Sequence, residues 1–225
     1  MKEFESVEDF EETSKVADPP KGGADEARLL KIVNLIKNAK APLVLIGKGA
    51  AYSQAEKLIR HLIDVTDLPF LPSPMGKGVL PDSHPLNASS ARSAALKMAD
   101  VVLILGARLN WIFHYGEAPK WNPNARFIQV DISSEELGRN GASKDADLSL
   151  LGDITIVCEQ LLQPQHLGAW KYNSSSSDFT AKLEAAKHRN EAIATNAASD
   201  HSLPLTYAHA FDVIKTALHT LSPPR

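Results

Sequence analysis

The sequence predicts an α/β protein with a Rossmann-like, doubly wound parallel sheet of five or six strands, followed by C-terminal helices. Three short apolar runs, at 43–47, 101–106 and 126–132, end in a glycine or an acid. Segments in which apolar residues recur at helical spacing separate these runs. Because strands that alternate with helices favour right-handed crossovers, the pattern predicts a parallel sheet with helices on both faces.

Local capping signals place the first helices. Asp25 suits the N-cap of a helix whose apolar residues recur at i, i+3, i+4 and i+7. Ser53 and Glu56 have the spacing of a capping box and predict a helix over 53–65. The other predicted elements, in chain order, are strands 43–46 and 69–74, helix 88–99, strands 101–105, 126–132 and 147–153, helix 154–163, and helices 178–197 and 205–219.

Shifts in composition divide the chain into four segments. We predict a flexible acidic lead-in at 1–24, a Rossmann-like nucleotide-binding domain at 25–163, a serine-rich linker at 164–177 and a helical segment at 178–225. The last helix is amphipathic, so its apolar face needs a partner. That partner is either the sheet domain or a domain beyond it.

Composition argues against several classes of protein. The 225 residues are 44% apolar, enough for a sizeable core, and the net charge of −3 offers no basic surface for nucleic acid. No apolar run approaches the ~20 residues of a spanning helix, and the acidic start lacks a signal or transit pattern. The single cysteine, Cys158, excludes an internal disulfide and suits an inert core thiol in a reducing compartment. We therefore expect an intracellular protein that binds neither nucleic acid nor membrane.

A glycine pair with a lysine between its members follows the first predicted strand. Gly47, Lys48 and Gly49 form a GxG and not the full GxGxxG fingerprint, because Tyr52 stands at the third glycine position. The pair predicts either a tight strand-to-helix turn or contact with a ligand. A lysine beside the N–H groups of the following helix would suit a phosphate.

Two further charged residues follow later strands. Arg108 comes just after the run at 101–106, and Asp131 closes the strand at 126–132. The carboxyl ends of parallel strands meet at one edge of a sheet, so Lys48, Arg108 and Asp131 are predicted to converge. Two cations suit phosphates and the acid suits a ribose hydroxyl, whereas each residue alone would be an ordinary surface charge.

A serine-rich segment begins the helix predicted at 88–99. Ser89, Ser90 and Arg92 have hydroxyl, N–H and guanidinium groups that suit a phosphate. Plain N-capping by Ser89 or Ser90 explains the same residues equally well. The aromatic run at 111–115 fits an adenine or acyl pocket or ordinary packing, and no histidine spacing indicates a metal site.

Several segments taken together resemble a known enzyme family: GKGAAYSQAEKLI, LPFLPSPMGKGVLPDSHPL, SSARSAALKMADVVLILGARLNW, FIQVDISSEELGRN and LLGDI. They are similar to the central domain of 2-hydroxyacyl-CoA lyase and of its relative oxalyl-CoA decarboxylase. The similarity covers residues 25–160 and, more loosely, the C-terminal helices.

This resemblance implies a thiamine diphosphate-dependent enzyme of three domains, in which the outer two domains hold thiamine diphosphate and Mg²⁺. The chain would then be a central domain whose C-terminal segment leads toward a missing cofactor-binding domain, and it would bind neither cofactor alone. ADP or CoA is the implied ligand. The family also implies a homo-oligomer at full length, a peroxisomal or cytoplasmic location and a role in fatty acid α-oxidation.

The resemblance also implies roles for particular residues. Lys48, Arg108, Asp131 and Ile154 match the nucleotide-contacting positions of the family. A second set matches a segment that contacts the CoA substrate: Ser89, Ser90, Ala91, Arg92 and Ser93.

The function predicted first is a noncatalytic central domain of a lyase that cleaves 2-hydroxyacyl-CoA to formyl-CoA and an aldehyde. One alternative is the same domain of an oxalyl-CoA decarboxylase. A second is a noncatalytic interaction module or pseudoenzyme that uses helix 205–219 to bind a partner. An NAD(P)-dependent dehydrogenase fits the sheet pattern but lacks the GxGxxG motif.

Overall fold

The computed structural model describes residues 16–17, 20–139 and 145–221. Within these residues, five parallel strands form one sheet in the order β2-β1-β3-β4-β5. The strands are β1 Pro42–Ile46, β2 Phe70–Pro72, β3 Val101–Leu105, β4 Arg126–Asp131 and β5 Ser149–Leu151. This topology confirms the predicted α/β fold. The strand order reverses between β1 and β3, which is where open sheets of this kind form a ligand crevice.

Helices connect and follow the strands. The α-helices are α1 Glu26–Lys37, α2 Lys48–Tyr52, α3 Glu56–Thr66, α4 Arg92–Met98, α5 Ile154–Leu161, α6 Asp178–Ala198 and α7 Tyr207–Leu221. Short 3₁₀ turns lie at Pro74–Gly76, Ser89–Ala91, Trp111–Gly116, Ala146–Leu148 and Ser174–Ser176.

The core consists of two layers, one on each face of the sheet. Val44 and Ile46 pack in the layer that contains α1, α3 and α5, while Leu43 and Leu45 pack in the layer of α4 and α6. All four side chains are at most 1% exposed, so β1 is covered on both faces. Burying each such side chain contributes about 1.5–3 kcal/mol to the stability of the fold, and β1 thereby gives firm support to the residues at its carboxyl end.

The first helix forms as predicted. The Asp25 side chain caps α1 by accepting a hydrogen bond from the Arg28 amide at 2.9 Å. The residues at the predicted apolar spacing face the sheet and are buried: Leu29, Ile32, Val33 and Ile36. Cys158 is likewise buried in α5, where burial raises the pKa of its thiol to about 12, as suits an inert core thiol.

The predicted capping box at Ser53 is wrong. The chain forms two helices, α2 and α3, with a break at residues 53–55, and Ala55 precedes α3 without a side-chain cap. The Ser53 hydroxyl instead donates to Asp153 at 2.7 Å. A carboxylate from a distant part of the chain therefore outcompetes the local cap.

Capping by Ser89 or Ser90 is also wrong. The Ser89 amide and hydroxyl both donate to Asn87 Oδ1, at 2.9 and 2.6 Å. A 3₁₀ turn follows at Ser89–Ala91, and α4 begins only at Arg92 without a side-chain cap. The buried Asn87 organises this turn in place of a serine cap.

Parts of the segments predicted as lead-in and linker contact the sheet domain. Gly22 O accepts from the Asp153 amide at 2.8 Å, and residues 1–15 and 18–19 lie outside the described residues. Tyr172, in the segment at 164–177, is buried and its hydroxyl donates to Lys40 O at 2.8 Å. His166 is 1% exposed, with Nε2 2.7 Å from Glu26 Oε1.

The two C-terminal helices are confirmed, but they differ in burial. Phe179, Leu183 and Ala186 of α6 are buried against the sheet domain, whereas no residue of α7 is buried. The α7 helix contacts α6 and does not fold back on the sheet. Among the described residues, no helix is both long and apolar enough to cross a membrane.

Candidate functional site

A cleft of about 470 Å³ opens at the carboxyl edge of the sheet. The turns that follow all five strands contribute to its walls, because parallel strands end along the same edge. Six predicted residues line this cleft together: Gly47, Lys48, Gly49, Arg108, Asp131 and Ile154. The predicted convergence of Lys48, Arg108 and Asp131 is therefore present in the structure.

The segment at 89–93 does not join these residues. Ser89 and Ser90 line a second cleft of about 500 Å³, between residues 77–90 and α6. Ala91 is buried and Ser93 is exposed. Arg92 lies behind the wall of the first cleft, where its guanidinium stacks over the Phe113 ring at 5.6 Å and donates to Ile112 O.

The glycine pair has a packing role of its own. A Cβ atom at Gly47 would lie 2.2 Å from Gly106 O, and one at Gly49 would lie 2.7 Å from Gly106 Cα. The Gly49 and Ala50 amides already donate to Gly106 O and Gly47 O. The prediction that α2 offers unpaired N–H groups is therefore wrong for these two amides, and Lys48 provides the cation of this turn.

The charged side chains differ in how firmly they are held. Lys48 is exposed, and its Nζ atom lies 4.9 Å from the centre of the Tyr52 ring. Asp131 is half-buried, and its Oδ1 atom accepts from the Ser133 amide at 2.9 Å. Arg108 Nε lies 2.9 Å from Glu136 Oε2, although the N–H is not aligned for a hydrogen bond. Lys48, Arg108 and Asp131 thus line the same space, and a backbone hydrogen bond fixes the Asp131 carboxylate.

The floor of the cleft is a polar network that the sequence did not reveal. Asp153 Oδ1 accepts from the Ser53 hydroxyl at 2.7 Å and from the Thr155 amide at 2.9 Å, and Lys21 Nζ lies 3.5 Å away. Burial raises the pKa of the Asp153 carboxyl, but these hydrogen bonds and the Lys21 amine outweigh it, so the net pKa is lowered. The network joins the end of α2 to the start of α5. Its one sequence signal is that Asp153 ends the strand predicted at 147–153, just as Asp131 lies near the end of the strand predicted at 126–132.

Apolar residues complete the cleft; Phe113 belongs to the aromatic run predicted as a possible pocket, whereas Met75 and Ile132 were missed. Met75 and Ile132 line it while 66% and 70% exposed, and Phe113 lines it from the side. Of the aromatic run, Trp111 and Tyr115 lie outside this lining. An apolar wall beside two cations suits a ligand that combines a flat ring with phosphates. The signal available in the sequence was that Met75 lies three residues after β2 and Ile132 directly after β4.

Residues 29–161 match the family described as thiamine pyrophosphate enzyme, central domain. The chain belongs to this family. The central-domain assignment agrees with the five-stranded parallel sheet, since the matched range contains all five strands.

Individual relatives agree with this assignment. The chain is 47% identical over 193 residues to "2-hydroxyacyl-CoA lyase 1" of Homo sapiens, which covers 86% of this chain and 33% of the relative. It is 36% identical over 188 residues to "Oxalyl-CoA decarboxylase" of Escherichia coli K12, covering 83% and 32%. The chain thus spans about a third of the length of the curated relatives it matches.

A solved structure shares the fold. It is described as that of a putative thiamin diphosphate-dependent enzyme from Mycobacterium smegmatis, with a TM-score of 0.52 and 19% identity over 66% of this chain and 29% of that chain. The family implies thiamine diphosphate. Among the described residues, no group of three or more His, Cys, Asp or Glu side chains is placed to hold a metal ion for its diphosphate. We therefore assign no step through that cofactor to these residues.

Proposed function

We propose that this chain binds an adenosine diphosphate moiety, free or as part of CoA, in the cleft at the carboxyl edge of its sheet. The observation that carries the proposal is the convergence of Lys48, Arg108, Asp131 and Ile154, which come from four separate turns, on one cleft. The two cations would bind the diphosphate, and Asp131 would accept a hydrogen bond from a ribose hydroxyl. The apolar wall formed with Met75 would cover the base.

We further propose that the chain is the central part of a thiamine diphosphate-dependent enzyme that cleaves 2-hydroxyacyl-CoA to formyl-CoA and an aldehyde. The 47% identity to a 2-hydroxyacyl-CoA lyase supports this substrate over oxalyl-CoA, for which the relative is 36% identical. Binding a remote part of CoA would orient the reacting end of the substrate. The chain would then contribute binding energy and no catalytic group.

Calorimetry with ADP and with CoA tests the binding proposal. We expect heat of binding with both ligands, and an affinity that falls at least tenfold in Arg108→Ala and in Lys48→Ala, because each would lose a charge-assisted contact of about 1.5–3 kcal/mol. Asp131→Asn should weaken ADP but leave pyrophosphate unchanged, since its contact is to the ribose. A wild-type protein that gives no heat with either nucleotide would contradict the proposal.

A second candidate, a noncatalytic interaction module, is favoured by the exposed apolar side chains of α7. Phe211, Ile214 and Leu218 are 67%, 53% and 57% exposed. Light scattering separates the two functions. An oligomer whose mass does not respond to ADP, and which dissociates in Phe211→Ser, would favour the module, whereas a nucleotide-binding protein of unchanged mass in Phe211→Ser would not.

A further inference from the structure

Glu136 is a nearly buried charge in the lining of the first cleft. Its side chain is only 10% exposed, yet its carboxylate lies between two arginines, with Oε2 2.9 Å from Arg108 Nε and Oε1 2.9 Å from Arg139 Nη1. The two arginines themselves are 61% and 58% exposed. A nearly buried carboxylate is costly unless it is paired, and the two arginines provide that pairing.

A buried side chain of the sheet fixes the turn that carries Glu136. Gln129, in the interior of β4, donates from Nε2 to Glu136 O at 2.9 Å and accepts from the Gly138 amide at 3.0 Å. Ser133 O also accepts from the Glu136 amide at 3.2 Å. The backbone on both sides of Glu136 is therefore tied to the sheet, and the carboxylate has a defined position relative to the cleft.

The contact with Arg108 leaves part of its guanidinium available. Glu136 meets Arg108 at Nε, the nitrogen nearest the chain. Within the described residues, neither terminal nitrogen of Arg108 donates a hydrogen bond. These two nitrogens form the fork that binds phosphate oxygens in a bidentate manner. Without the contact to Glu136, the long side chain of Arg108 would lose rotamer freedom when it binds a ligand, and that loss would weaken binding.

We infer that Glu136 is a positioning residue that orients Arg108 toward the phosphate of the bound nucleotide. This inference rests on the proposed function and adds to it a residue that acts through Arg108. The Gln129–Glu136–Arg108 series transmits the rigidity of β4 to the exposed guanidinium of the neighbouring turn. The opposite interpretation is that Glu136 competes with the ligand for Arg108. In that case the Glu136 carboxylate would draw Arg108 away from the ligand and weaken nucleotide binding.

The direction in which ADP affinity changes when Glu136 is substituted distinguishes positioning from competition. Glu136→Gln keeps the shape of the side chain and removes its charge, and we expect ADP affinity to fall about three- to tenfold by calorimetry as the guanidinium loses its orientation. The titration is run at about 0.5 M salt, where charge attraction across the cleft is screened over a few ångströms. In the Arg108→Ala background the same substitution should cause no further loss.

Arg139→Gln is the matched control. It removes the other ion pair of Glu136, of equal length, on an arginine outside the lining of the cleft, so ADP affinity should change less than twofold. If Glu136→Gln does not fold, Glu136→Asp, which keeps the charge but shortens its reach, is measured in the same cycle and should also lower ADP affinity. Unchanged or tighter ADP binding in the charge-removing variant, or an equal loss in the Arg108→Ala background, overturns the inference. Absence of ADP binding in the wild type would instead overturn the proposed function itself.

Discussion

The two clefts of this molecule are similar in volume, at about 470 and 500 Å³, but they differ in what their charges face. In the first cleft, the described residues give Lys48 only an aromatic contact and give Arg108 one ion pair, through Nε. In the second cleft, Lys187 binds Pro85 O at 2.6 Å and Glu184 at 2.7 Å, and Lys77 pairs with Asp82. The comparison indicates that the first cleft has cations to offer a ligand, while the second uses its charges to hold α6 against the loop.

Strand topology explains this difference. The first cleft lies where the order of strands reverses, so residues from distant turns are brought to one edge and their charges are not paired locally. The second cleft lies between a loop and a helix, where polar side chains satisfy each other. If this account is correct, substitutions in the two clefts should have separate consequences.

The largest effect on stability is expected at Gly47, where the backbones of two turns of the first cleft approach each other most closely. Gly47→Ala would place a Cβ atom 2.2 Å from Gly106 O, a backbone atom that cannot move aside easily, so we expect a loss of about 2–4 kcal/mol in the free energy of unfolding. Denaturant unfolding measures this loss. Gly22→Ala is the control, because a Cβ there meets nothing within 4 Å, and it should change stability by less than about 0.5 kcal/mol. Equal stability of the two variants would contradict the close packing of the turns.

Lysines of the two clefts provide the next comparison. Lys48→Met should weaken ADP about tenfold or more, while Lys187→Met should leave ADP affinity within about twofold, because Lys187 is already bound to Glu184 and Pro85. Both affinities are measured by calorimetry on variants with unchanged unfolding midpoints. Equal losses would mean that the second cleft, and not the first alone, takes part in binding.

The floor of the first cleft should respond to pH. The pKa of Asp153 is lowered in the folded protein, so its contribution to stability is present above the unfolded pKa of about 3.9 and is lost as the pH falls through the folded pKa. Asp153→Asn should therefore lower the unfolding midpoint at pH 7, and this difference should shrink as the pH falls below about 3.9, as followed by thermal unfolding.

The matched control is Asp147→Asn. The pKa of Asp147 is also lowered, by a hydrogen bond from Lys31, but Asp147 lies on the surface. Asp147→Asn should therefore have nearly the same unfolding midpoint as wild type across this pH range. A stability difference between wild type and Asp153→Asn that stays constant from pH 7 to pH 3 would refute the role of the charged carboxylate.

The smallest effect is expected at the serine segment. Ser90→Ala removes a long hydrogen bond of 3.4 Å to Glu191 in the second cleft, so stability should change by less than about 0.5 kcal/mol and ADP affinity by less than about twofold. Should Ser90→Ala weaken ADP as much as Lys48→Met does, the separation of the two clefts would be wrong.

The sequence predicted those parts of the site that depend on regular geometry. Lys48, Arg108 and Asp131 each stand at or just beyond the end of an apolar run, and parallel pairing of β1, β3 and β4 is enough to bring them together. The same reasoning placed α1 and α5, because their buried residues follow the helical period.

Contacts between distant parts of the chain could not be predicted in this way. Ser53 looked like a local cap, but its partner is Asp153, 100 residues away, and nothing near Ser53 indicates that partner. Glu136 belongs to an irregular turn, so no periodicity showed that it would reach Arg108. The segment at 89–93 failed for the same reason, since the loop before it, organised by Asn87, decides which cleft it faces.

The most direct test of the account is ADP calorimetry on wild type, Lys48→Ala, Arg108→Ala and the double variant, with the unfolding midpoint of each protein measured alongside. The account predicts that wild type binds one ADP per chain, that each single variant binds at least tenfold more weakly, and that the double variant shows no measurable binding while remaining folded. Undiminished ADP binding in the folded double variant would contradict the claim that Lys48 and Arg108 bind the nucleotide.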